Sequence, residues 1–455
     1  MASRAPKPVS RPEGASWFTR IKLFREDMFS SQPAKLYRAW MAEARGPFYR
    51  SFLVNDPQLV KKVLVDEQPD YPKSEIIGDT LAPLLGRSVF VTNGSVWERQ
   101  RRIVNPAFDG SLKSSFPAMM AAAEAAIDRL AEQADGREVE MEYVTSHLAA
   151  DVIFRTLFSI PISTEIAAEV FDEFRTYQRA QPLWNLPGLL RLPAWMPRFH
   201  SAQSRRSATR IRILLSELVA NRSAEIIAGT APDDLATRIM TTPDPQTGVK
   251  FTAEEMVDQV AIFFLAGHET SASALAWALY LLASDPDVQD RVAAEVATSA
   301  APAFEEISRF RFTRDVFRET LRLYPPVPMM VREAAMDSEM RGRKVAKGSL
   351  VIVSPWHLQR HERLWQKPDE FDPDRWLRVE NKTCQRDAYL PFSKGPRVCV
   401  GAGFAMVEGV LLLSMLVRAF RFETTEETPV PVAHLTVRAK DGVKLRVSAR
   451  GPDTT

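Results

Sequence analysis

The sequence predicts a mainly α-helical protein with small β-sheets, folded as one large domain. Long helical patterns fill the middle of the chain, and strand-like alternation is confined to short runs. No repeat and no long linker divides the 455 residues. Apolar residues make up 45% and charged residues 25% of the sequence, which excludes disordered and collagen-like chains.

The net charge and the number of cysteines exclude several classes of function. A formal charge of +2 gives no ground for a nucleic-acid partner. The two cysteines, Cys384 and Cys399, are too few for a zinc ribbon or a disulfide framework. A reducing compartment is therefore expected, and we predict a cytoplasmic protein.

The N-terminal residues 1–30 are polar and rich in proline, and they contain no apolar run. We predict a loosely held tail there, followed by the domain proper over 31–455, with neither signal peptide nor membrane anchor. The longest apolar stretch, 260–283, is interrupted by His268 and Glu269, which favours a buried core helix over a membrane span.

The spacing of apolar residues along the chain predicts the helices and strands. A short helical pattern at 34–41 leads into a strand at 49–54, and further strands are predicted at 348–353 and on both sides of Asp441–Gly442, as a hairpin. Five long helices are predicted, at 118–132, 141–158, 166–179, 205–227 and 254–284. Residues 181–197 carry four prolines and read either as a surface loop or as an apolar lid.

The segment PFSKGPRVCVGAGF, at 391–404, directly precedes an apolar helix over 402–420. Cys399 therefore lies near a helix N-terminus, where the helix dipole and free backbone N–H groups favour a thiolate. The glycines of the loop allow close approach, Phe392 can pack beside the sulfur, and Arg397 offers a fork for a carboxylate. Such a loop suits a metal macrocycle with acidic side groups, the alternative being an inert buried cysteine.

The long helix begins at a capping box formed by Thr252 and Glu255. Within it, Phe263, Ala266, Gly267 and Thr270 share one face, and we expect the glycine to open room there. The alternative is a small-residue helix crossing with a threonine that bonds back to its own helix.

Two further patterns place charged residues on helix faces. Ser95 and Glu98 have capping-box spacing, and Trp97 and Arg101 lie four apart on the helix that follows. Glu319 and Arg322 lie three apart on a helix that ends at Pro325, where an ordinary surface ion pair is the alternative.

Together these strings resemble the cytochrome P450 family. The haem-ligand signature F-x-x-G-x-R-x-C-x-G is matched by Phe392, Gly395, Arg397, Cys399 and Gly401, with Ser393 where the family commonly has glycine. AGHET resembles the family's A-G-x-[DE]-T, RETLR its E-x-x-R, and WERQR its W-x-x-x-R. The resemblance implies a single-domain cytochrome P450 fold, a triangular prism with a long central helix over haem b.

The resemblance also implies roles for single residues. Cys399 becomes the thiolate ligand of the iron, and Glu269 with Thr270 delivers protons during oxygen activation. Glu319, Arg322 and Arg375 become a structural lock behind the haem. The haem propionates are assigned to Trp97, Arg101, Arg332 and Arg397. His268 falls at the family's variable position and is expected to serve packing or to lie on the helix surface, and not to act as a ligand.

The implied activity is a monooxygenase that inserts one oxygen atom of O2 into an apolar organic substrate. By position, the expected pocket residues are Phe90, Phe263, Ala266, Val327 and Met329. Electrons are expected from a separate ferredoxin or flavodoxin-type donor with its reductase. Arg99, Arg102 and Lys394 form either a basic patch that faces this donor or an ordinary solvated face. A peroxide-driven peroxygenase and a non-catalytic haem-binding protein are the alternatives.

Overall fold

The computed structural model describes residues 3–46, 50–180, 200–297, 302–433 and 435–451. The segment 181–197, predicted as a loop or lid, lies outside the described residues.

The described chain is mainly helical, as predicted. Its α-helices are α1 (Trp17–Glu26), α2 (Pro57–Lys61), α3 (Glu75–Leu85), α4 (Gly94–Asp109), α5 (Leu112–Ala131), α6 (Met141–Phe158), α7 (Glu165–Ala180), α8 (Ala202–Ala228), α9 (Leu235–Thr241), α10 (Ala253–Ser284), α11 (Pro286–Val296), α12 (Arg311–Leu323), α13 (Pro355–Leu358), α14 (Lys382–Asp387) and α15 (Ala402–Ala419). Shorter helical turns occur at Ala34–Tyr37, Lys62–Asp66, Gln68–Asp70, Phe304–Arg309, Pro373–Leu377, Val379–Asn381 and Gly395–Arg397.

The strands form small sheets. They are β1 (Met41–Arg45), β2 (Arg50–Val54), β3 (Asp135–Glu140), β4 (Met330–Glu333), β5 (Ser338–Met340), β6 (Arg343–Val345), β7 (Leu350–Val353), β8 (Phe420–Thr424), β9 (Pro431–Ala433), β10 (Val437–Ala439) and β11 (Lys444–Ala449). The sheet orders are β1-β2-β7-β4, β3-β11-β8, β9-β10 and β5-β6. All pairs are antiparallel except β2 with β7, where Ser51 stands opposite Leu350.

Helix α10 runs through the core. Its predicted capping box is present: the Thr252 hydroxyl accepts from the Glu255 N–H at 3.2 Å, and the Glu255 carboxylate accepts from the Thr252 N–H at 3.0 Å. The expectation that Gly267 opens room on one face of this helix is wrong. A Cβ there would lie 2.3 Å from Ile153 of α6, so this glycine permits the close crossing of α6 and α10.

The N-terminal segment differs from the predicted loose tail. Ala5 and Phe29 are buried, and the Phe29 ring stacks on Trp356 with centroids 4.1 Å apart. Lys7 Nζ lies 2.5 Å from the Asp369 carboxylate. Apolar side chains and cations scattered among the prolines thus hold this segment against the body of the protein.

Two local predictions are wrong. The strands on either side of Asp441–Gly442 do not form a hairpin with each other, because β10 pairs with β9 whereas β11 pairs with β3 and β8. Helix α4 lacks the predicted Ser95–Glu98 capping box, since it begins at Gly94 with Asn93 as N-cap residue. Asn93 makes other contacts, described below.

Among the described residues, α15 is long and apolar enough to cross a membrane by length and composition alone. Its stretch from Glu408 to Val417 is buried in the core of the protein.

Candidate active site

Cys399 lies between the turn Gly395–Arg397 and helix α15, as predicted. Its N–H donates to the Phe392 carbonyl at 2.9 Å, which closes the loop on itself. Gly395 has φ of +72°, and a Cβ there would lie 2.1 Å from the Leu64 carbonyl oxygen. The glycine is required because the loop passes this close to the Lys62–Asp66 turn.

The Cys399 side chain is exposed, although many protein atoms surround it, so the sulfur lies in the wall of an open recess, which we call the Cys399 recess. Burial raises the pKa of the Cys399 thiol, while the Gly401 N–H and the cations of Arg101 and Lys73 act in the opposite direction. These positive groups near the sulfur favour the thiolate form of Cys399, and a thiolate is the form that binds a metal cation.

Four cations surround this recess. Arg397 stacks on the Trp97 ring at 4.1 Å, and Arg101 Nη1 donates to the Val398 carbonyl at 3.0 Å. Arg332, on β4, is buried. The predicted residues Trp97, Arg101, Arg332 and Arg397 therefore come together from three distant parts of the chain.

Lys73 is the fourth cation, and sequence reasoning missed it. Its backbone forms an isolated bridge with Arg332, and its Nζ donates to the Phe90 carbonyl at 2.6 Å. Burial lowers the pKa of Lys73 well below its ordinary value, and the nearby charges of Arg332, Arg397 and Arg101 lower it further. No motif marked this lysine, because its place depends on the pairing with β4.

Asn93 organises the same cluster. Its Oδ1 accepts from Arg397 Nη2 at 2.8 Å and from the Lys73 N–H at 3.1 Å, and its Nδ2 donates to the Lys73 carbonyl at 3.0 Å. One side chain thus joins the start of α4 to the Cys399 loop and to the Lys73 segment. The only available sequence signal for Asn93 was its position four residues before Trp97, at the start of the helix that carries W-x-x-x-R.

The cluster fits the haem that the resemblance implies. Within the described ranges, no Asp or Glu forms an ion pair with Lys73, Arg101, Arg332 or Arg397. The Nε atoms of all three arginines are buried without a hydrogen-bond partner. Burial lowers the pKa of Arg332 to about 10, and burial together with Arg332 and Arg101 lowers that of Arg397 to about 9. Such clustered cations with unused N–H groups suit an anionic group, and the two propionates of haem b are groups of this kind.

Glu269 and Thr270 lie at the middle of α10 but are not joined to each other. The Glu269 carboxylate is buried and accepts from Arg438 Nε at 3.1 Å, from Arg438 Nη2, and from the Thr436 hydroxyl at 2.5 Å. The Thr270 hydroxyl donates to the Ala266 carbonyl at 2.6 Å. Burial alone would raise the pKa of Glu269, but Arg438 and Thr436 outweigh it, and the pKa is lowered.

Glu319, Arg322 and Arg375 form the predicted trio in full burial. Arg322 donates to both carboxylate oxygens of Glu319 at 2.8 and 2.9 Å, and Arg375 Nε lies 3.1 Å from Oε1. The remaining N–H groups of the two arginines donate to carbonyl oxygens of Gln359, Gln366, Lys367, Pro368 and Glu370. The surface-pair alternative is therefore wrong.

A cavity of about 1170 Å³ lies along one flank of α10. Apolar side chains line much of it, including Ile76, Leu81, Leu265, Met329, Val331 and Leu435, and Glu269 and Arg438 are among its polar lining residues. Of the five predicted pocket residues within the described chain, Met329 alone lines this cavity.

The other four predicted pocket residues lie elsewhere. The Phe263 ring packs edge-on against Phe108 at 5.1 Å, and Phe90 lies beneath Lys73 Nζ at 3.6 Å. Val327 is half-buried, whereas Ala266 is exposed although Leu265 beside it is buried. The face of α10 that carries Ala266 therefore borders open space.

The predicted basic patch is wrong for its two arginines. Arg99 Nη1 lies 2.6 Å from the Glu255 carboxylate, and Arg102 Nε lies 2.7 Å from Asp244. These pairs tie α4 to the start of α10 and to the segment before it, and a carboxylate offsets each charge. Lys394 donates to the Arg386 carbonyl.

His268 serves packing, as expected from the sequence. It is buried on α10, its Nε2 lies 2.8 Å from the Ser146 hydroxyl of α6, and burial lowers its pKa to about 4. Cys384, outside any motif, donates its S–H to the Leu364 carbonyl at 2.8 Å.

Comparison with known proteins identifies the family. The family model described as "Cytochrome P450" matches residues 12–446. Cyclooctat-9-en-7-ol 5-monooxygenase of Streptomyces melanosporofaciens is 31% identical over 84% of this chain and 81% of its own. Pentalenene oxygenase of Streptomyces avermitilis is 28% identical over 87% of each chain. The crystal structure of the cytochrome P450DA heme domain, 24% identical, superposes with a TM-score of 0.81 over 99% of both chains. The chain therefore belongs to the cytochrome P450 family, as a monooxygenase that holds haem b through a cysteine thiolate.

Proposed function

We propose that this protein hydroxylates an apolar organic substrate at a haem held by Cys399. The observation that carries the proposal is the cluster of Lys73, Arg101, Arg332 and Arg397 around the Cys399 recess, with three buried Nε atoms that no described group satisfies. Haem b supplies the iron at which O2 is activated, and thiolate ligation favours cleavage of the O–O bond.

The residues around the Cys399 recess contact different parts of the haem in this proposal. Cys399 is the ligand, with the Gly401 N–H and nearby cations stabilising its thiolate. The Nε–H groups of the three arginines, with Lys73, neutralise the two propionates. Trp97 keeps the Arg397 guanidinium in place by stacking on it.

Thr270 and Glu269 are the proton-delivering residues of the proposal. The Thr270 hydroxyl lies on the helix face that carries the exposed Ala266, and Glu269 is the neighbouring ionisable group. For a proton to move from Glu269 toward Thr270, the carboxyl must first be released by Arg438 and must then be protonated.

The substrate is proposed to be a hydrophobic molecule that occupies the apolar part of the cavity. Two relatives are named for action on pentalenene and on cyclooctat-9-en-7-ol, whose names denote an alkene and an alkenol. Both compounds are therefore the first probes to use in a substrate screen. Binding is followed by the optical shift that accompanies displacement of water from haem iron.

The electron donor is proposed to be a separate ferredoxin or flavodoxin-type protein with its reductase, acting in the cytoplasm. The family model that matches residues 12–446 is that of the cytochromes P450, and cytochrome P450 monooxygenases take their electrons from redox partners. With Arg99 and Arg102 paired to carboxylates, the Cys399 loop itself is the region where we expect the donor to dock, beside Lys394 and the exposed Val398.

Replacement of the ligand tests the proposal most directly. Cys399→His is expected to retain some haem but to lose the far-red-shifted carbonyl band of the reduced protein and all oxygenation. Cys384→Ser is the matched control and should keep both properties. Oxygenation that survives in Cys399→His would show that the ligand assignment is wrong.

The same assays separate the two alternatives. Peroxide-supported turnover that far exceeds donor-supported turnover would favour a peroxygenase. Reducing equivalents consumed without product across a broad substrate screen would favour a haem-binding protein without catalysis.

A further inference from the structure

Three residues that line the substrate cavity carry buried polar atoms without a hydrogen-bond partner in the described part of the chain. These atoms are the Tyr177 hydroxyl, Gln178 Nε2 and His268 Nδ1. Tyr177 and His268 are each only 1% exposed. Leaving a buried polar atom unpaired costs free energy, so such atoms in the wall of a cavity indicate that a molecule in the cavity supplies the partner.

Tyr177 lies on the last turn of α7, in an otherwise apolar wall. It belongs to the same apolar cluster as Phe174 and Phe264, whose ring centroids are 4.4 Å apart. Burial raises the pKa of Tyr177, and the negative charge of Glu269 raises it further. The side chain therefore stays an uncharged phenol, which can both donate and accept a hydrogen bond.

The other two unpartnered groups are also uncharged. Burial lowers the pKa of His268 to about 4, so its imidazole is neutral near pH 7. Its Nε2 is occupied by the Ser146 hydroxyl at 2.8 Å, which leaves Nδ1 without a partner. The Gln178 side chain is a neutral amide. These three residues thus offer neutral hydrogen-bonding atoms to a molecule in the cavity.

The charges near Tyr177 favour a neutral partner over an anion. The Glu269 carboxylate is paired with Arg438, whose Nε lies 3.1 Å away, and its negative charge still acts on Tyr177. A carboxylate placed at the Tyr177 hydroxyl would be repelled by Glu269. Arg175 of α7 is the nearby cation without an ion pair among the described contacts, and it stacks over the Tyr143 ring at 4.8 Å. A hydroxyl group needs no cation and can donate and accept at once.

We propose that the substrate carries a hydroxyl group on its apolar body and that Tyr177 is the specificity-determining residue that binds this hydroxyl. This inference rests on the proposed function and narrows its substrate class from apolar molecules to apolar alcohols. An alcohol regains at Tyr177 the hydrogen bond that it loses with water. A hydrocarbon of the same shape leaves the Tyr177 hydroxyl unpaired, so the site discriminates against it.

Imidazole probes that bind haem iron test the proposal without turnover. Each probe is an N-alkylimidazole whose chain ends in a methyl, a hydroxymethyl or a carboxylate group, in a series of lengths from hexyl to dodecyl. The imidazole nitrogen binds the iron of the haem-loaded protein and shifts its optical spectrum, which gives the affinity. The series of lengths places the chain end at different depths of the cavity.

Tyr177→Phe removes the hydroxyl alone and keeps the ring in the apolar wall. At the chain lengths that reach this residue, we expect the variant to bind the alcohol probe about 5- to 10-fold more weakly than wild type, because one neutral hydrogen bond is lost. The affinity for the methyl probe should stay the same or rise. An unchanged methyl probe also shows that the cavity of the variant is intact.

Tyr389→Phe is the matched control. The Tyr389 hydroxyl is likewise buried without a partner in the described chain, but its ring packs against Trp376 with centroids 4.7 Å apart, and it does not line the cavity. Tyr389→Phe should therefore bind the alcohol and the methyl probes as wild type does.

The inference is overturned if the ratio of alcohol to methyl affinity is the same in wild type and Tyr177→Phe at every chain length. Tighter binding of the carboxylate probe than of the alcohol probe to wild type would overturn it as well, because an anion would then be the preferred group. Both results leave the proposed function intact as long as the imidazoles shift the haem spectrum. If no probe shifts that spectrum in wild type, the proposed function fails and this inference fails with it.

Discussion

Two clusters of arginines in this protein differ in how far the protein itself satisfies their charges and their N–H groups. In the first, Arg322 and Arg375 share the Glu319 carboxylate, and their other N–H groups donate to backbone carbonyls. In the second, around Cys399, three arginines and Lys73 lie together without an ion-paired carboxylate in the described chain, and each arginine leaves its Nε unbonded.

The difference separates charges that serve the fold from charges that serve a ligand. A buried cation is stable only when its solvation is replaced, either by the protein or by something that the protein binds. Glu319 provides that replacement in the first cluster. In the second cluster the protein itself replaces the lost solvation of the cations only in part. This suits an anionic cofactor that binds during or after folding and completes the replacement.

The largest expected effect on stability comes from removing the Glu319 carboxylate from the satisfied cluster. Glu319→Gln removes the negative charge and leaves Arg322 and Arg375 as two buried cations without an anion. We expect the free energy of unfolding to fall by about 3–5 kcal/mol, measured by denaturant unfolding of the haem-free protein. Glu305→Gln, at an exposed pair with Lys113, is the control and should change little. A similar small loss in both variants would contradict the structural role of the trio.

A third buried charge site sharpens the comparison, because it has one hydrogen-bond partner and no cation. Burial raises the pKa of Glu408 to about 7, and its Oε2 accepts from the Ser271 hydroxyl at 2.7 Å. A folded-state pKa above the unfolded value means stability that is full below the unfolded pKa and is lost as pH rises through the folded one. Wild type should therefore lose about 3 kcal/mol of unfolding free energy between pH 4.5 and pH 9 relative to Glu408→Gln. Parallel pH profiles for the two proteins would show that Glu408 is solvated.

Sequence reasoning found residues that lie in fixed local patterns and missed those that depend on tertiary pairing. The Cys399 loop, the capping box of α10 and the Glu319–Arg322 spacing are local, and the structure places them as predicted. Lys73 enters the cation cluster only because its segment pairs with β4, and Arg438 reaches Glu269 only because β10 pairs with β9. No spacing in the sequence encodes either contact.

The same limit explains the errors. Arg99 and Arg102 look like free cations on one helix face, but their carboxylates come from Glu255 and Asp244, about 150 residues away. The turn signal at Asp441–Gly442 is real, since Gly442 has φ of +81°, yet it joins strands of two different sheets. A turn residue specifies a change of direction and leaves the pairing partner open.

The smallest expected effect on stability comes from the unsatisfied cluster, and it has the opposite functional outcome. Arg332→Leu removes a buried cation whose pKa burial already lowers to about 10, so the haem-free protein should unfold at the same denaturant concentration or a higher one. Haem affinity should fall by about 10- to 100-fold, because a charge-assisted bond to a propionate is lost. Transfer of haem from the protein to an excess of apomyoglobin measures this loss, and Arg446→Leu is the control. Destabilisation of the haem-free protein on the scale of Glu319→Gln, without faster haem transfer, would mean that Arg332 belongs with the satisfied cluster. The two clusters would then differ only in the number of hydrogen bonds that their arginines make, and both would serve the stability of the fold.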